Sequence, residues 1–310
     1  MLARVAETLF WMSRYLERAE NMARLVNVNA NLLLDLPRRV TLGWAPLLAI
    51  VGADESFHEL YPEASEDNVV RFLTMDPRNS GSIRSALDCA REILRVSRDT
   101  MPREVWERLN DLYLYVAENG ENAVSRAQRM NFLSHVTTGA LQLYGTLTTT
   151  MSRDVGYQFL RIGTNIEQAD MTTRILDVRS VPLLQDHNDS LSPFANIQWM
   201  SVLRSLTAYQ MYRRHVRTRV TGPRVLRFLL QNREFPRSVM FCLDSIAGTL
   251  PHLPANRSIE RSIERARGLL RDANIEALLG GANGLPQLMD EIQISLGDLH
   301  KTLDEAYFVG

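Results

Sequence analysis

Lysine is almost missing from this chain. Lys301 is the only one among 35 basic residues, so the other 34 are arginine. GC-rich codon usage accounts for such a bias, and a single arginine here therefore says less about function than it would elsewhere. Cysteine is scarce as well. Cys89 and Cys242 stand far apart in apolar helical contexts, with no Cys-x-x-Cys or Cys/His spacing. That excludes a zinc ribbon and a thiol redox motif, and suits small buried thiols in a reducing compartment.

Net charge is nearly absent too. The formal value is -1, so the molecule as a whole has no long-range pull toward nucleic acid or an anionic membrane. No apolar run approaches the roughly 20 residues that span a bilayer. At the N-terminus Glu7 and Arg14 interrupt the apolar residues too early for a signal peptide. A cytoplasmic protein without membrane or nucleic-acid contacts is expected. Gly-rich phosphate loops and nucleophile elbows are missing, and the six histidines form no metal pair. Glu55-x-x-His58 has the spacing of a di-iron bundle, but it lacks a second copy and Pro62 follows closely. No nucleotide, metal or other cofactor is expected within the chain.

What is present is helical periodicity, with almost no strand-like alternation. An apolar fraction of 45% over 310 residues suits a packed core, in one large domain or two ordinary ones. The pattern predicts an all-α, multi-helix bundle. Helices are expected over 3–34, 44–51, 67–74, 82–97, 102–118 and 121–151, the last with a break near Gly139. Asp154 caps a further one reaching Val178, and residues 180–193 read as a loop. The second half predicts helices over 196–216, 223–230, 236–250, 258–273 and 286–306, with a turn at 280–284.

Self-similarity is the strongest signal. Leu16-Glu17-Arg18-Ala19-Glu20 returns as Ile166-Glu167-Gln168-Ala169-Asp170, and Arg24-Leu25 as Arg174-Ile175. Trp44 and Leu48 match Trp199 and Leu203. Val70-Arg71-Phe72-Leu73 matches Leu226-Arg227-Phe228-Leu229, and Ser82-Ile83 matches Ser238-Val239. Four collinear blocks predict an internal duplication, with half-repeats 1–150 and 151–310 inside a single domain, 1–310.

Each copy opens on a charged stripe. At 100° per residue, Glu17, Glu20 and Arg24 share a helix face, which Arg14 and Asn21 extend. Glu167, Asp170 and Arg174 share the equivalent face. If the halves pack about a pseudo-twofold axis, the stripes meet there. One reading is a reciprocal ion-pair network that fixes how the halves dock. The other is a site, with Glu17, Glu20, Glu167 and Asp170 as acid/base groups and the arginines holding an anionic substrate. Arg71 with Ser82 and Arg227 with Ser238 form a second repeated pair. Each Ser reads either as an N-cap or, with its Arg, as an anion-binding helix start. The segment from Arg204 to Arg237 holds nine arginines and one acid, Glu234. It reads as a face for an acidic partner or as a solvated surface. Aromatic interleaving and helix-turn-helix spacing are missing, so nucleic acid is not expected there.

The run Ser13-Arg14-Tyr15-Leu16-Glu17-Arg18-Ala19-Glu20-Asn21-Met22-Ala23-Arg24 resembles the first signature of the bacterial Alpha-E family. Phe159-Leu160-Arg161-Ile162-Gly163 and Glu167-Gln168-Ala169-Asp170-Met171-Thr172-Thr173-Arg174 resemble the second. Asp76-Pro77-Arg78-Asn79-Ser80-Gly81-Ser82-Ile83 and Glu234-Phe235-Pro236-Arg237-Ser238-Val239 resemble further family blocks. Gln168 stands where an Arg is usual, and Gly81 also departs from the pattern. The resemblance implies a helical protein whose relatives occur beside, or fused to, a circularly permuted ATP-grasp protein, with transglutaminase-like peptidases as further neighbours. It implies a place in ATP-dependent amide ligation or peptide modification, on a peptide or amino-acid-like substrate. It adds Arg18 and Thr173, inside the two signatures, to the candidate substrate-binding residues. Three roles follow: an accessory, substrate-handling subunit; an enzyme using the Glu/Asp/Arg cluster; or a helical scaffold.

Overall fold

The computed structural model describes residues 3–36, 42–185, 194–279 and 284–308. Among them every regular element is helical, as the period-3.6 pattern predicts. The first run is α1 (Ala3–Asp35), α2 (Ala45–Val51), α3 (Asp54–Leu60), α4 (Glu66–Thr74), α5 (Ile83–Val96), α6 (Arg103–Asn119) and α7 (Arg126–Thr150). The second is α8 (Val155–Gln185), α9 (Ala195–Ser205), α10 (Tyr209–His215), α11 (Gly222–Gln231), α12 (Val239–Ala247), α13 (Arg257–Asp272), α14 (Ile275–Leu279) and α15 (Gly284–Tyr307). Two compact units result, Met1–Leu33 with Thr41–Thr164, and Leu34–Val40 with Asn165–Gly310. The boundaries fall inside α1 and α8.

In the first unit α5, α6 and α7 pack in succession, and α2 packs on α3 and α4. Ser82 starts α5 by accepting a hydrogen bond from the Ser85 N–H at 3.2 Å. Beyond that cap Ile83, Ala86, Leu87, Ala90 and Leu94 are buried, which is the spacing of one helix face. Phe57 of α3 meets Phe72 of α4 edge-on, with ring centroids 5.2 Å apart. The break expected near Gly139 does not occur, because α7 runs straight through it. Gly139 serves close packing instead: a β-carbon there would lie 2.8 Å from the Leu112 side chain on α6. The helix also starts later than expected, at Arg126, after a 3-10 turn over Gly120–Ala123.

In the second unit α12 packs on α13, α13 on α15, and α9 on α10 and α11. Asn256 starts α13 by accepting from the Ser258 and Ile259 N–H groups. Tyr212 of α10 meets Phe228 of α11 edge-on at 5.5 Å. Three boundary expectations are corrected here. The α8 backbone continues to Gln185, past Val178 and into the stretch expected to be loop. Ser238, not Pro236, opens the next helix, because its hydroxyl accepts from the Phe241 N–H. Residues 196–216, expected as one helix, are two. Of the turn expected at 280–284, Gly284 already starts α15 and 280–283 lie outside the described residues, as do residues 186–193 of the loop expected at 180–193.

The break inside 196–216 has a clear backbone cause. Thr207 has φ 55, the Ala208 N–H bonds the Leu203 carbonyl at 2.7 Å, and the Thr207 N–H bonds the Arg204 carbonyl at 3.1 Å. Those paired bonds are a Schellman helix ending, which needs a left-handed residue. Gly52 closes α2 in the same way, with φ 65 and the Ala53 N–H on the Leu48 carbonyl. At Thr207 a β-branched residue takes the left-handed conformation that glycine takes at Gly52. Left-handed backbone costs a side-chain-bearing residue about 1–2 kcal/mol. Thr207→Gly should therefore raise the urea midpoint, corresponding to about 1 kcal/mol; an unchanged or lower midpoint would contradict this account.

Candidate functional site

Both signature stripes lie on long helices that bury polar groups. On α1, Glu17 and Glu20 are 0% exposed and Asn21 is also buried. Arg24, one turn on, donates from Nε to Glu20 Oε1 at 2.9 Å and from Nη2 to the same oxygen. Arg14 lies over the Phe10 and Trp11 rings at 5.6 and 5.1 Å, and Arg18 over Tyr15 at 5.6 Å. Burial pushes the Tyr15 hydroxyl above its usual range, with the neighbouring Cys89 acting in the same direction.

On α8, Glu167 is 3% exposed and Thr173 is buried, its hydroxyl donating to the Asp170 carbonyl of its own helix at 2.8 Å. Arg174 donates from Nε to Asp170 Oδ2 at 2.8 Å, repeating the i, i+4 pair of Glu20 and Arg24. This pair is nearer to water: the side chains are 24% exposed for Asp170 and 36% for Arg174. Thr172 donates to the Arg237 carbonyl at 2.8 Å, tying α8 to the turn before α12.

Arg71 and Arg227 face carboxylates of their own units. Arg71 holds Glu121 with two parallel bonds, at 2.7 and 2.9 Å, and Arg227 donates to Glu276. Ser82 and Ser238 are fully buried caps of α5 and α12. The turn before each cap is an Asx turn. Asp76 Oδ1 accepts from the Arg78 N–H at 3.0 Å, and Asn232 Oδ1 accepts from the Glu234 N–H at 2.8 Å. Arg78 also clamps Asp76 through its side chain, and Tyr61 donates to Oδ2 at 2.7 Å. The Arg78 guanidinium, with the Tyr61 hydroxyl assisting, holds the Asp76 carboxyl well below the usual carboxylate range. Sequence reasoning missed that clamp, whose only local signal is the Asp-Pro-Arg run.

Two cavities open on the second unit. One, of about 620 Å³, is lined by Asn196, Met200, Tyr209, Arg213, Arg217, Thr218, Arg219 and Val220. The other, of about 560 Å³, is lined by His215, Val216, Arg217, Thr218, Arg224, Arg227, Phe228, Gln231 and Asn232. Neither of these two takes in the four stripe acids, and of the predicted site residues Arg227 lines the second. His215 presents Nε2 to Glu234 at 3.0 Å and Nδ1 to the Met211 carbonyl at 2.9 Å. Both ring nitrogens face acceptors, which suits the imidazolium. Its pKa is accordingly raised, chiefly by Glu234. Among the described residues no cluster of three or more His, Cys, Asp or Glu is placed to hold a metal. No helix of the described residues is long and apolar enough to cross a membrane.

A chain whose described residues form only helices, the first of them burying the Glu17 of a Glu-Arg pair, defines a class of α-helical domain. The chain belongs to the Alpha-E family, described as a predicted alpha-helical domain with a conserved ER motif, whose model matches residues 1–308. The Glu-Arg dipeptide here is Glu17-Arg18. An uncharacterised protein of Mycobacterium bovis is 26% identical over 97% of this chain, and one of Mycobacterium tuberculosis matches at the same identity and coverage. The chain spans 36% of the length of these curated relatives. No solved structure matches it.

Proposed function

We propose that this chain is an accessory, substrate-handling subunit of an ATP-dependent amide-ligation or peptide-modification system, partnering a circularly permuted ATP-grasp ligase. The observation that carries this reading is its share of its relatives. In the mycobacterial proteins the matching region is about a third of a longer polypeptide, so there the Alpha-E region is covalently joined to further protein. A region carried inside a longer polypeptide suits a supporting role beside another domain. The ligase identity of the partner comes from the family resemblance, as does a transglutaminase-like peptidase as a further associate. An ATP-dependent partner fits a cytoplasmic setting.

In this reading the signature acids are framework. Glu17, Glu20 and Glu167 are buried, and Glu20 and Asp170 each hold an arginine one turn away. A reacting carboxylate has to reach its substrate, whereas a buried acid–arginine pair defines how a helix seats. We also propose that the two units descend from one duplicated element. Support comes from features 155 or 156 residues apart: the Schellman endings at Gly52 and Thr207, the edge-on pairs Phe57–Phe72 and Tyr212–Phe228, the ion pairs Arg71–Glu121 and Arg227–Glu276, and the capping serines Ser82 and Ser238.

Co-expression with the ATP-grasp protein tests the partnership. The two should co-purify as one species in size-exclusion chromatography, and the ligase should turn over peptide substrate faster with this chain than without it. Separate elution with unchanged ligase activity would overturn the proposal.

A further inference from the structure

The two cavities of the second unit share Arg217 and Thr218, so they adjoin as one groove on either side of the segment between α10 and α11. Each lies within the usual ligand-site range of roughly 300–1,000 Å³. Carboxylates are missing from both linings, while five arginines and His215 contribute to them. We infer that this groove binds an acidic peptide segment, whose carboxylates are read by Arg213, Arg217, Arg219 and Arg224.

The charge pattern within the groove carries the assignment. At its far wall Arg227 holds Glu276 and His215 holds Glu234, so the chain's own acids already occupy those cations. Arg213, Arg217, Arg219 and Arg224 are different: among the described residues no carboxylate lies within 4.0 Å of them, and Arg224 and Arg213 donate only to the Thr218 and Tyr209 hydroxyls. Arg84, Arg98, Arg108 and Arg153 of the first unit also lack an ion pair among the described residues, so what sets the former four apart is that they line one groove. Other first-unit arginines, such as Arg71, Arg78, Arg126 and Arg129, each hold an acid. Four uncompensated guanidiniums in a chain of formal charge -1 form a local positive field, which attracts and orients acidic ligands.

The lining also indicates which acid. Phosphate sites are typically built from backbone N–H groups at a helix start or a Gly-rich loop. This groove instead offers guanidinium forks, which match carboxylate and phosphate alike with two parallel bonds, and it spreads them over several positions along its length. Met200, Val220 and Phe228 supply apolar surface between them, where a peptide backbone and its methylenes can lie. A chain with carboxylates at intervals fits that alternation better than a compact phosphate does. The inference goes beyond the ligase partnership and stands without it.

The test uses fluorescein-labelled hexaglutamate, followed by fluorescence anisotropy at low salt on the full chain. The native protein should bind it, and Arg217→Ala with Arg219→Ala should weaken binding by about tenfold or more, the loss expected when a charged hydrogen bond goes. Both side chains are exposed, so the melting temperature should stay unchanged. Replacing both with Lys should restore part of the affinity, because the charge returns without the fork. Unlabelled hexaglutamate should displace the probe at lower concentration than pyrophosphate. No binding by the native chain, equal affinity in the alanine variant, or stronger displacement by pyrophosphate would overturn the inference. Failure to bind the ATP-grasp protein would leave these readouts untouched.

Discussion

Gly163→Ala should destabilise the protein by about 3 kcal/mol, the upper end of what overpacking usually costs. A β-carbon at Gly163 would overlap the Phe10 carbonyl oxygen and the Ser13 hydroxyl, both on α1. The carbonyl is helix backbone, and the Ser13 hydroxyl is itself bonded to that carbonyl at 2.8 Å. The carbonyl has no rotamer into which it can retreat, and moving the hydroxyl would break its bond, so the start of α8 would have to move away from α1. Gly145 on α7 and Gly297 on α15 provide the control, because a β-carbon at either meets nothing within 4 Å. Alanine there should stabilise by about 0.5–1 kcal/mol, the ordinary helix gain. Urea unfolding of the three variants checks the sign at each position. A neutral Gly163→Ala would mean that α1 and α8 do not approach as described.

Glu20→Gln should cost about 3 kcal/mol. Its carboxylate is fully buried and accepts two bonds from Arg24, whose side chain is 18% exposed. Removing one charge of such a pair leaves the other partly desolvated against a neutral amide. The equivalent change in the second unit, Asp170→Asn, should cost about 1 kcal/mol or less, because water reaches both of its partners and screens the pair. Unequal costs would show that burial sets how much each of the two acid–arginine pairs contributes. Equal costs would count against that role for burial.

The helical class and most helix positions were legible from the chain because amphipathic periodicity and capping residues are local signals. Ser82 and Ser238 read as N-caps in the sequence itself, although the pattern starts the second of these helices two residues early, at Pro236. Thr207 shows where local signals fail: a Schellman ending is ordinarily flagged by glycine, as at Gly52, and threonine hides it. Gly139 failed in the opposite direction, since a glycine that reads as a breaker is present to admit Leu112. The stripes were legible as faces, because helical phase assigns them. Their burial was not, because phase does not say what lies over a face. The groove was half legible. Nine arginines in one stretch announce a charged surface, but the break at Thr207 and the turn into α11 decide which of them line a cavity.

The central claim is that the signature acids hold helices in place and do not react. The most direct measurement is the turnover of the ATP-grasp system reconstituted with Glu20→Gln, taken per folded complex below the variant's melting temperature. The account predicts a melting temperature lower by on the order of 10 °C and an unchanged rate. An unchanged melting temperature with turnover reduced about a hundredfold or more, the loss typical of a missing acid/base group, would contradict it.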